Sequence, residues 1–148
     1  MQWLDEDFAD ACDFELLGLS SHLPPHRLAW ELNQHLEWRL EFFKVLEIQQ
    51  RKGYSEHAVY RYEDVSSHGS QTWYVIENKA PNGVIARFKG GAEMDYLVQA
   101  MDEADSMAEA MERIRSIRGV NYILQLDPLE SGAIEHLALM DLTPEMEG

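Results

Sequence analysis

The chain has 148 residues, 45% of them hydrophobic, and sets 27 acidic side chains against 12 basic ones for a net charge of −15. A chain of this length buries roughly 68–70% of its unfolded surface, so it needs neither a metal nor a disulfide, and Cys12, its single cysteine, has no intrachain partner. The charge argues against nucleic acids and anionic membranes, which demand clustered Lys and Arg.

The first ten residues carry Asp5, Glu6, Asp7 and Asp10 and no basic side chain, the reverse of a signal peptide. No apolar run approaches the roughly 18–20 residues of a membrane span. A cytoplasmic protein with an acidic N-terminal arm over about 1–12 is the expectation. Residues 13–19 read as an opening strand. Pro24 and Pro25 stand where a helix begins. Leu28, Leu32, Leu36 and Leu40 then recur every fourth residue and predict a helix over 26–40, its stripe widened by Trp30 and Trp38. Residues 42–49 suit either a helical extension or a short strand.

Segments 58–62, 72–76 and 84–88 are rich in aromatic and β-branched residues and predict strands. A loop at 66–70 and a tight turn at 80–83, with Asn82-Gly83 at its centre, separate them and imply an antiparallel meander. After Gly90-Gly91, residues 95–100 predict a strand and 102–105 an acidic first helical turn. Ala104, Met107, Ala108, Met111 and Ile114 form one apolar stripe, Arg113, Arg115 and Arg118 suit a helix C-terminus, and Gly119 is the stop. Residues 120–126 return as a strand. Segment 133–142 is apolar and fits helix or strand, and 143–148 reads as a loose tail. The whole is expected to be a single α+β domain over 1–148, an antiparallel meander with two main helices.

No motif in this pattern announces a reaction. Asp102-Glu103-Ala104-Asp105 spells a helicase box, but no phosphate-binding loop accompanies it, and acidic residues at a helix start explain it. His22 and His26 have ligand-like spacing, yet Pro24 and Pro25 lie between them. Asp5, Asp7, Asp10 and Asp13 lack the glycine and terminal glutamate of a calcium loop. Gly-x-Ser-x-Gly is absent, and Cys12 has no activating cation beside it. Neither a cofactor nor a metal is expected. Tyr60, Tyr62, Trp73 and Tyr74 read as core aromatics before they read as a pocket, and Met101, Met107 and Met111 as filling before a binding face.

Lys89-Gly90-Gly91-Ala92-Glu93-Met94-Asp95-Tyr96 resembles a divergent form of the motif naming the IPExxVDY proteins, small bacterial proteins of uncharacterised function. Asp95-Tyr96 matches the terminal pair, Met94 replaces the usual Val, and Lys89-Gly90-Gly91 stands in place of Ile-Pro-Glu. Asp13-Phe14, Leu17-Gly18, Leu32-Asn33, Asn78-Lys79 and Leu126-Asp127-Pro128 extend the likeness over residues 13–128. The resemblance implies a cytoplasmic bacterial protein and supplies no activity.

The strand-helix-strand unit over 94–128 is also similar to half of a ferredoxin-like, ACT-like domain. Such domains pair through sheet edges or helices and bind small metabolites near the strand-helix loop, here Ala100-Met101-Asp102. Three expectations follow. The first is a non-catalytic protein-interaction or homodimerising module. The second is a small-metabolite sensor with Asp95, Tyr96 and Asp102 as ligand-binding residues, and the third an enzyme using an unrecognised carboxylate pair. Asp95 is expected above all to receive backbone N–H bonds.

Overall fold

The computed structural model describes residues 14–66, 69–86, 94–101 and 107–126. Strand β1 (Phe14–Ser21) leads into helix α1 (Pro25–Leu36), then β2 (Glu41–Gln50), β3 (Gly53–Ser66) and β4 (Gly69–Glu77). A small hairpin, β5 (Lys79–Ala80) and β6 (Gly83–Val84), precedes β7 (Tyr96–Met101), helix α2 (Met107–Arg115) and β8 (Val120–Leu126). The protein is α+β. Six strands form one sheet in the order β2-β3-β4-β7-β1-β8, every neighbouring pair antiparallel, with β2-β3-β4 as a meander. Strands β7 and β8 therefore run parallel to each other with β1 between them, joined by α2 as a split β-α-β unit.

Strand alternation divides the core in two. Leu17 and Leu19 of β1, Val98 and Ala100 of β7, Trp73 and Val75 of β4 and Ile123 of β8 bury one face beneath Leu28, Ala29 and Leu32 of α1 and Met107, Ala110 and Ile114 of α2. Leu16, Tyr74, Ile76 and Leu97 look the other way, toward Ile85, Ala86 and Met94. Gly18 permits that second layer, because a Cβ there would lie 2.6 Å from Met94 Cγ. Each fully buried leucine contributes about 1.5–3 kcal/mol.

Several sequence expectations change. Helix α1 starts with Pro25 in its first turn, as expected, and the Pro24 carbonyl accepts the N–H groups of Arg27 and Leu28. It stops at Leu36 instead of reaching residue 40, because Glu37 turns left-handed at φ 60° and the Asn33 side chain seizes the backbone of Leu40. Leu40 is still buried in the same core, which is how its spacing imitated a longer helix. Residues 42–49 lie in strand β2. The tight turn centres on Pro81-Asn82, one residue before the expected Asn82-Gly83, and Ala80 pairs with Gly83. Proline sets the first central φ there, and neither Asn82 nor Gly83 has positive φ. The strand expected over 84–88 shrinks to Gly83–Val84, with 87–88 outside the described residues. The expected loop narrows, since Ser66 and Gly69 pair in the β3–β4 hairpin. The last strand matches its expected limits, and Gly119 ends the helical turn at φ 106°. The expectations for 1–12, 102–106 and 127–148 lie outside the described residues.

One buried side chain holds the second layer in place. Asn78 Nδ2 donates to the carbonyls of Ala86 at 3.1 Å and Met94 at 2.7 Å, while its Oδ1 accepts the Ala86 N–H at 2.9 Å. Replacing Asn78 by Leu strands those three backbone groups, each costing about 1–3 kcal/mol when buried unpaired. We expect Asn78→Leu to lower unfolding free energy by about 2–5 kcal/mol in urea melts. A loss below about 1 kcal/mol would mean that this side chain does not hold the layer.

Candidate aromatic cleft

Strand register sets the wall of a cleft on the helix-bearing face. Tyr62 of β3 pairs with Trp73 of β4, so alternation aims both rings toward the helices. The chain leaving α1 at Glu37 folds Trp38 onto them. Its ring lies 4.5 Å from Trp73 and 5.9 Å from Tyr62, centroid to centroid, and stacks on Tyr62 at 24°. Helix α2 closes the opposite side with Glu109, Ala110 and Arg113, leaving a cleft of about 300 Å³. Trp73 is the cross-strand neighbour of Ala100 in β7.

The charges on its rim are unequally matched. Arg113 pairs with Glu109 at 3.1 Å and also reaches the His35 carbonyl at the C-terminus of α1, at 3.5 Å. Glu37 has no ion-pair partner among the described residues. It is also the sole described non-glycine residue at positive φ, a conformation that costs a residue with a Cβ roughly 1–2 kcal/mol.

Of the residues expected from sequence, Asp95 and Tyr96 do not line this cleft. Asp95 immediately precedes β7 and Tyr96 opens it, and Met101, at the other end of the strand, is about 20 Å from Asp95 by strand rise. Asp102 lies outside the described residues. Asp95 Oδ2 accepts the N–H of Ser21 at 2.8 Å, where the β1–β8 register shifts. Its backbone donates to Leu19 O and accepts from Asn78 and Lys79. The Tyr96 hydroxyl donates to the Leu23 carbonyl. Burial first, then the nearby Glu77, Asp95 and Tyr60, holds the Tyr96 phenol well above the ordinary tyrosine value. Asp95 thus ties the start of β7 to the end of β1, and Tyr96 ties it to the turn that follows.

A further polar cluster escaped the sequence reading altogether. His57 Nδ1 donates to the Glu77 carbonyl at 2.7 Å, so Nε2 is the acceptor for the Ser55 hydroxyl at 2.6 Å. Ser55 Oγ in turn accepts from Gln50 Nε2 at 2.8 Å. This order resembles a nucleophile, a base and an orienting acceptor, but both side chains are 0% exposed. Their spacing of two residues in a strand, which puts both on one face, was the available signal.

Of the aromatics weighed from sequence, Tyr62 and Trp73 line the cleft, whereas Tyr74 packs on the opposite face. Trp38 was missed as a cleft residue because it was assigned to the helix. Among the described residues no three His, Cys, Asp or Glu side chains gather as a metal-holding group, and no helix is long and apolar enough to cross a membrane. Comparison with family models, curated proteins and solved structures finds no match to the chain.

Two outcomes test the role of the Asp95-Tyr96 pair. Asp95→Ala should lower stability by about 1–2 kcal/mol, while Asp95→Asn, which keeps an acceptor for Ser21, should lose less. Loss of binding at unchanged stability would contradict a structural role. For Tyr96 the sign follows from its raised pKa. The unfolded phenol, at 10.0, ionises before the folded one, so its contribution is complete below pH 10 and is lost as pH rises beyond it. Stability measured from pH 8 to 11 should therefore fall less steeply at the alkaline end in Tyr96→Phe than in the wild type.

Proposed function

We propose that the protein is a non-catalytic module that pairs with a second copy of itself along the β2 edge. The observation that carries this reading is the surface of β2 and β3 on the helix-bearing side. Phe42 is 57% exposed, Val45 46% and Tyr54 53%, because the helices pack over β1, β4, β7 and β8. Strand β2 is also an edge ten residues long, with one row of backbone groups turned away from β3. A two-fold axis normal to the sheet joins two such edges antiparallel and keeps both helix-bearing faces on one side. Phe42 and Val45 of the two copies then become cross-strand neighbours.

A second reading, a small-metabolite sensor with an ACT-like arrangement, is supported by the position of the aromatic cleft. One wall includes Trp73, the cross-strand neighbour of Ala100 in β7, and the other is α2, the two elements that flank the loop where the ACT-like resemblance implies a ligand. Kinship with the IPExxVDY proteins, cytoplasmic and bacterial, belongs to the same proposal. In its support, Asn78, Asp95 and Tyr96, which carry the resemblance, meet at one junction.

Light scattering coupled to size exclusion tests the first reading. The wild type should run as a dimer. Val45→Asp should run as a monomer, with its folding free energy changed by no more than about 0.5 kcal/mol once dimerisation is allowed for. A wild type that stays monomeric at high concentration rules the β2 pairing out.

A further inference from the structure

From the rim chemistry of the cleft we infer that it takes a small organic cation with an alkylated ammonium head group. The inference rests on the ligand-binding reading and is independent of pairing along β2. Trp38 and Tyr62, both half-buried and stacked on each other, line one wall over the almost fully buried Trp73. Ring faces carry negative charge density and attract cations, most strongly where water is displaced. Leu36 and Ala110 add apolar surface to the same cleft, which suits alkyl groups on the ammonium and disfavours a fully hydrated metal ion.

The carboxylates make the preference one of sign. Glu109 already neutralises Arg113, so Glu37 remains as the uncompensated charge on the rim. A net charge of −15 adds a general attraction for cations. Glu37 is also the residue for which the chain tolerates a left-handed backbone at a position where glycine is the usual choice. Strain of this kind persists where surrounding structure imposes it, and it gathers at ligand sites. Glycine would relax the backbone but remove the carboxylate. Retaining Glu37 therefore trades stability for a charge beside the aromatic wall.

The two demands are separable by substitution. Tetramethylammonium chloride is titrated against the full chain, with tryptophan fluorescence and melting temperature as readouts. Potassium chloride controls for ionic strength and sodium acetate for the opposite sign. Saturable binding of tetramethylammonium alone is expected. Glu37→Gln, which keeps the left-handed residue and removes its charge, should weaken it at least about tenfold. Glu37→Gly should weaken it equally while melting at the same or a higher temperature than the wild type.

A peptide carrying trimethyl-lysine, run beside choline, decides whether the head group arrives on a protein or free, and tighter binding of either supports the site. Binding that survives both Glu37 variants overturns the inference, because the cation then sits elsewhere. Saturable binding of acetate in place of tetramethylammonium overturns the cation assignment and leaves the ligand-binding reading standing. If neither ion binds, the cation assignment fails, and a thermal-shift screen of uncharged metabolites then decides the ligand-binding reading separately.

Discussion

The fold depends on one buried amide. Asn78 is fully buried, yet its side chain makes three hydrogen bonds to the backbone of Ala86 and Met94. A buried amide is costly unless paired, and pairing it specifies the positions of its partners. Those partners lie between β6 and β7 in the chain, Ala86 just after the small hairpin and Met94 just before β7. Asn78 thereby fixes where β7 begins, between β4 and β1. Asp95 continues the same junction, because its backbone bonds Leu19, Asn78 and Lys79 while its carboxylate takes the Ser21 N–H. Tyr96 completes it at Leu23.

Placing β7 has consequences across the molecule. It separates β1 from the β2-β3-β4 meander and sets β7 and β8 parallel around β1. Helix α2 then packs beside α1 over one face, while Met94, Ile85 and Ala86 cover part of the other. The helices pack over the β8 half of the sheet, and their span leaves Phe42, Val45 and Tyr54 exposed at the β2 end. The proposed pairing surface is thus a by-product of how far two helices extend over six strands. The aromatic cleft arises at the border of the covered half, where α1 ends and the chain turns back toward β2.

The two ends of β7 have different surroundings. Tyr96, its first residue, and Asp95 just before it are spent on backbone hydrogen bonds and contribute to holding the sheet. Its far end adjoins the cleft through the pairing of Ala100 with Trp73. A short strand thus joins the hydrogen bonds of Asp95 and Tyr96 at one end to the wall of the cleft at the other.

The elements themselves were legible wherever local chemistry dominated. Strand β8, the α2 stripe through Met107 and Ile114, the prolines opening α1 and the presence of a turn over 80–83 follow from periodicity and backbone preference, whereas Ala108, expected in that stripe, is exposed and Ala110 is buried in its place. Tyr62 and Trp73 were legible as strand aromatics. What required tertiary structure was every feature set by residues distant in the chain. The end of α1 is decided by Asn33 gripping Leu40, and Leu40 joins the core from outside the helix, so the four-residue leucine spacing overran the true boundary. The buried Ser55-His57-Glu77 cluster joins residues up to 22 positions apart, and the cleft draws on α1, β3, β4 and α2. Periodicity records which face a residue takes, because that is fixed within one element. Which elements share a site depends on strand order, and here that order was decided by hydrogen bonds from Asn78 to chain as far as 16 residues away.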